Sequence, residues 1–113
     1  MKFLFSLIAT AALLLGSAVA QAAGSVTNVT VVEIQAQPSG LFFIYFSSPP
    51  SGGPACAASG TGFIVDGSTK GGAPVVSLAE IAYTMGKTVN ASGDGTCSIK
   101  SNWETIASIN TTD

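Results

Sequence analysis

Two cysteines, six carboxylates and no histidine set the range of chemistry open to this chain. Cys56 and Cys97 are its only thiols. Without an imidazole, neither a Ser-His-Asp nor a Cys-His site can be built. Zinc sites made from His and Cys clusters are excluded for the same reason. Paired carboxylates remain the one acid-base device to consider. Glu33, Asp66, Glu80, Asp94 and Glu104 are dispersed along the chain, and several fall at turns where Asp is expected anyway. The expectation is a protein without catalytic residues and without a cofactor. The side chains left for recognition are the aromatics Phe43, Tyr45 and Trp103, which can stack on a sugar or an apolar ligand. The competing reading is that Phe42, Phe43, Phe46, Phe63 and Trp103 fill a small core. Tyr45 and Trp103 fit that reading least, because each carries a polar handle.

The N-terminus reads as an export signal. Met1-Lys2 is a short positive start, and Phe3 to Leu15 is an uncharged apolar run of 13 residues. That is the length of a signal-peptide core and too short to cross ~30 Å of hydrocarbon as a helix. Gly16-Ser17 breaks the run, and Ala18-Val19-Ala20 offers small residues to a signal peptidase. Cleavage is expected before Gln21, with Ala22 and Ala23 as later alternatives. Residues 1–20 are thus read as a signal peptide and 21–113 as one domain, secreted or periplasmic. No stable membrane insertion is expected after cleavage.

In an exported chain, two cysteines most economically form one disulfide. The loop closed between Cys56 and Cys97 would hold about 41 residues, worth roughly 4 kcal/mol in the chain-entropy account. A reactive pair is the alternative, but no C-x-x-C motif or neighbouring base supports it. The mature part carries three lysines against six acids and no arginine, a net charge of −3. Three scattered lysines cannot neutralise a phosphate backbone, which excludes nucleic acid as a partner.

The elements that must position these groups are mostly strands. Val26 to Gln37 is β-branched, with Val29 and Val31 on one face and then Val32 and Ile34 on the other. A strand that changes its buried face is bulged or bends between sheets. Pro38-Ser39-Gly40 is a turn, and Leu41 to Phe46 is apolar on both faces. Residues 47–60 form a long Ser/Pro/Gly loop, either a connection or a binding loop. Gly62 to Asp66 is a third strand. Pro74 to Met85 is helical, with Gly86 as its stop, and Ser77-x-x-Glu80 could instead cap a shorter helix from residue 78. Its expected core stripe is Val75, Leu78, Ile81, Ala82 and Met85. Thr88 to Ala91 is a fourth strand, followed by a hairpin turn at residues 92–95. Trp103 to Asn110 is the last, with Trp103, Thr105, Ala107 and Ile109 on one face. Asn28-Val29-Thr30, Asn90-Ala91-Ser92 and Asn110-Thr111-Thr112 match glycosylation sequons, read here as incidental.

The order β-β-β-α-β-β predicts a mainly-β domain, a small OB-like five-stranded barrel with one helix and one disulfide. Tyr83-Thr84-Met85-Gly86-Lys87-Thr88-Val89, following Val75-Val76-Ser77-Leu78, resembles the helix-to-strand passage of small exported bacterial domains related to the subtilase cytotoxin B subunit. The similar features run from Val26 to the Glu104–Ile109 strand. The resemblance implies an OB-like fold and a pentamer that binds glycans. No sugar-binding residue of that family is carried over. The functional expectation is a binding module for a glycan or small ligand. The alternative is a structural or protein-interaction subunit of an exported assembly, with another exported protein as its partner.

Overall fold

The β-branched run Ser25–Ala36 forms β1, the longest strand, and it is bulged twice. The computed structural model describes residues 22–58 and 60–112, so the expected signal peptide lies outside the described residues. The register of β1 slips between Val26 and Val29 against one neighbour, and between Val31 and Glu33 against the other. Asn28, at φ 51°, takes the first slip. The two slips keep Val26, Val29 and Val31 in the core and leave Val32 exposed. The face change expected from the sequence is therefore real.

The remaining strands are β2 (Leu41–Phe46), β3 (Gly62–Asp66), β4 (Thr88–Gly93) and β5 (Ile106–Thr111). All five form one antiparallel sheet in the order β3-β2-β1-β4-β5. The sheet is not closed, which corrects the expectation of a barrel wall. Its two edge strands approach at a single parallel bridge, Ile64 to Thr105, where the Ile64 N–H donates to the Glu104 carbonyl at 3.0 Å. Ile44, Phe46, Phe63, Val65 and Val89 fill the interior with the β1 valines.

The single helix, α1, spans Gly72–Met85, starting earlier than either expectation. Thr69 ends the preceding turn, its hydroxyl accepting the Gly72 N–H at 2.9 Å and its carbonyl the Ala73 N–H at 3.0 Å. That local cap outcompetes Ser77, which lies within the helix. Gly86, at φ 63°, stops the helix in the left-handed conformation that glycine adopts most easily. The buried face is Val76, Ala79 and Ala82, with Val75 packed beside it; of the expected stripe Ala82 and Val75 are therefore on the core side, whereas Ile81 and Met85 are 51% and 64% exposed. No helix among the described residues is long and apolar enough to cross a membrane.

Two further expectations shift. Strand β4 runs on through Ser92 and Gly93, which were expected in the turn. Strand β5 begins at Ile106, not Trp103, and its buried residues are of the opposite phase: Glu104 and Ile106 are buried while Ala107 is exposed. Trp103 and Thr105 make only isolated bridges before it.

Side chains pairing directly across antiparallel strands share a face. On the outer side of β1, β4 and β5 this produces three rows. Ser25 pairs with Ser92, and Ser92 with Ser108, the last two joined by a 2.7 Å hydroxyl hydrogen bond. The Asn28 N–H donates to the Asn90 side-chain carbonyl at 2.8 Å, and Asn90 pairs with Asn110. Thr30 pairs with Thr88, whose hydroxyl bonds that of Thr112.

Candidate functional site

Phe43 and Tyr45 stand on the outer face of β2 because their neighbours Phe42, Ile44 and Phe46 point into the core. Across the ladders, Phe43 lies between Gln35 and Ile64, and Tyr45 between Glu33 and Gly62. Gly62 cannot carry a side chain, because a Cβ there would collide with the Ile44 carbonyl. The Tyr45 hydroxyl donates to the Gln35 side-chain carbonyl at 3.4 Å.

Trp103 comes to this patch from the long β4–β5 connection. Its ring meets Phe43 edge-on, with centroids 4.7 Å apart and planes at 69°. It meets Tyr45 the same way, at 5.5 Å and 85°. Such edge-to-face pairs contribute ~0.5–1.5 kcal/mol each beyond their buried area. Phe43 is buried under the indole, and Ile64 is fully buried, yet neither belongs to the main core cluster. They form a second, smaller core roofed by Trp103. Tyr45 and Trp103 stay half-exposed. Among the described residues, neither the indole N–H of Trp103 nor the Glu33 carboxylate has a hydrogen-bond partner. The three aromatics singled out in the sequence therefore stand together.

What holds Trp103 in place is the residue after it. Glu104 is only 2% exposed, and sequence reasoning placed it among dispersed surface acids. The Gly24 N–H donates to both of its carboxylate oxygens at 3.1 Å, and the Gly95 N–H to one at 2.8 Å. Backbone N–H groups can satisfy a buried carboxylate without a counter-ion, provided they approach closely. Glycines permit that approach. A Cβ on Gly93 would overlap the Glu104 carboxylate, and one on Gly24 would lie 2.6 Å from it. In the sequence Gly93 reads as part of a hairpin turn; only its place within β4 marks it as a point of close approach. Asn102, at φ 71°, turns the chain so that Trp103 and Glu104 face opposite ways.

Cys56 and Cys97 are bonded to each other, with Cα atoms 6.3 Å apart. The bridge ties the 47–61 loop to the connection that carries Trp103. A concavity of about 410 Å³ lies elsewhere, between the start of α1 and the start of β5. It is lined by Asp66 as its only acid and by no aromatic. A small pocket of about 50 Å³ borders Glu104, again a single acid. The Asp66 carboxyl is held below its ordinary range by the Ser68 hydroxyl and then by the Ser68 N–H. No group of three or more Cys, Asp or Glu residues is placed to hold a metal among the described residues.

Comparison with protein-family models, with curated proteins and with solved structures finds no match.

Proposed function

We propose that this domain is an exported binding module of OB-like type that takes a glycan or other small ligand on the aromatic patch around Trp103. One observation carries the reading: Trp103, Phe43 and Tyr45 meet on one outer face, with Glu33 opposite Tyr45 across the ladder. An apolar ring face with hydrogen-bonding groups at its rim suits a pyranose, whose C–H face and hydroxyls are arranged in the same way.

The OB-like reading is supported by the pairing scheme. Strand β1 pairs with both β2 and β4, the helix lies between β3 and β4, and the edges touch in parallel at Ile64 and Thr105. Export is supported by the Cys56–Cys97 disulfide, a bond that persists in oxidising compartments.

Trp103 is the only tryptophan, so its fluorescence reports on the site without interference. A glycan array of the oxidised protein should give ligands that shift Trp103 emission and are lost in Trp103→Ala. An array without hits would count against the glycan reading.

A second reading, a subunit that docks another exported protein, draws on α1. Ile81 and Met85, one turn apart, are both more than half exposed and border a shallow concavity with Glu80 and Thr84. Light scattering and pull-down from the native secretion would separate the two readings.

A further inference from the structure

A different surface carries a separate inference. Where residues 25–30 of β1 pair with β4 and, beyond it, β5, the outer face presents the serine, asparagine and threonine rows; the exposed Val32 and Glu33 of β1 lie outside this stretch, on the side of β2. We propose that this face binds a neutral polysaccharide chain, independently of the aromatic patch.

Each hydroxyl or amide in the rows is both donor and acceptor, as is each hydroxyl of a sugar. A charged polymer would find no counter-charge here, and an apolar ligand would leave these groups unpaired. Rows repeat ~4.8 Å apart across the strands and ~7 Å apart along them, so the face repeats its polar groups in two directions, with a step at the β1 bulge, as an extended, repetitive ligand repeats its own. Its side chains are already fixed. Ser92 bonds Ser108, Thr88 bonds Thr112, and Asn90 accepts from the Asn28 backbone. Groups held this way lose little freedom on binding.

The grid also continues into a concavity. A groove of about 330 Å³ runs between the start of β1 and the 47–51 loop, lined by Ser25, Thr27, Asn28, Ser47 and Ser51 among others. Its far wall is fastened to the strand. Ser25 and Ser51 exchange backbone hydrogen bonds at 3.0 and 2.9 Å, and Ser47 accepts the Thr30 N–H at 3.1 Å. The same uncharged chemistry thus extends from a flat surface into a cleft able to seat one sugar of the chain.

The test is depletion of the oxidised protein from solution by microcrystalline cellulose, chitin and insoluble starch, in low and high salt. Wild type and Trp103→Ala should both bind at least one of the three, with no loss in high salt. Asn110→Lys and Ser108→Lys change exposed positions on β5 and should weaken that binding by about tenfold or more. Circular dichroism of each variant confirms folding, and Asn110→Ser supplies a conservative control that should retain most binding. Failure of wild type to bind any of the polymers overturns the proposal. So does binding undiminished in both lysine variants. Loss in Trp103→Ala alone would assign the polymer to the aromatic patch and overturn this face as its site.

Discussion

The backbone N–H of Gly24 lies 3.1 Å from each oxygen of the Glu104 carboxylate, across 80 residues of sequence. With Gly95, it satisfies a buried anion by backbone alone. Glu104→Gln keeps the shape but turns an amide N–H₂ toward backbone donors. It should lower stability by about 1–3 kcal/mol, the cost of leaving buried polar groups unmatched. Gly93→Ala should cost at least as much, because its Cβ would overlap the carboxylate. Denaturant unfolding of the oxidised proteins measures both. Equal stability of Glu104→Gln and wild type would remove Glu104 as the anchor of this loop.

Loss of the disulfide has a separate signature. Cys56 and Cys97 are 41 residues apart, and Cys56 is exposed, so the bridge contributes mainly by restricting the unfolded chain. The double variant Cys56→Ser/Cys97→Ser should lose about 4 kcal/mol. Reduced wild type should match it. Mass spectrometry of the protein prepared without reductant should find no free thiol.

The aromatic patch makes a prediction about division of labour. Trp103→Ala should abolish ligand binding and also uncover Phe43 and Ile64, so some stability is lost with it. Tyr45→Phe removes only a long hydrogen bond to Gln35. It should change stability by less than about 0.5 kcal/mol. A drop in ligand affinity for Tyr45→Phe at unchanged stability would place the Tyr45 hydroxyl on the ligand.

Asp66 gives a pH prediction. Its carboxyl titrates below the ordinary range because the Ser68 hydroxyl and N–H stabilise the charged form. A folded-state value below the unfolded one stabilises the fold above the unfolded value, and that contribution is lost as pH falls through the folded value. Ser68→Ala removes the larger cause and should move the Asp66 titration upward. Carboxyl-carbon NMR between about pH 2 and 6 would show it. An unchanged midpoint would exclude the hydroxyl as the cause.

The parts of the fold legible in sequence were those with local punctuation. Strands β2 and β3 fall where Pro38-Ser39-Gly40 and Gly62–Asp66 mark them. The bulges of β1 announced themselves as a change of hydrophobic phase. The helix face and the last strand were misread for one reason. Ile81 and Met85 look like core by type, and Glu104 looks like surface, but burial is decided by partners distant in sequence. Gly24, Gly93 and Gly95 make Glu104 an interior residue, and no spacing rule within residues 103–110 carries that information. The aromatic trio was legible by chemistry, whereas the meeting of Trp103 with Phe43 and Tyr45 appears only in three dimensions.

The sequons have a structural origin of the same kind. Asn28, Asn90 and Asn110 share one row, and the Thr or Ser two residues after each lies on the same outer face. The motif here is a by-product of strand alternation: Asn out, then Val29, Ala91 or Thr111 on the other face, then Thr or Ser out.

The Cys56–Cys97 bond has a consequence beyond stability. One end lies in the 47–61 loop and the other six residues before Trp103, so that loop and the connection carrying Trp103 are covalently one piece only after oxidation. A chain still reduced keeps its sheet residues but has lost the strut behind its indole. The bond therefore makes the setting of the indole sensitive to redox conditions: the segment that carries Trp103 is covalently anchored only in the oxidised chain.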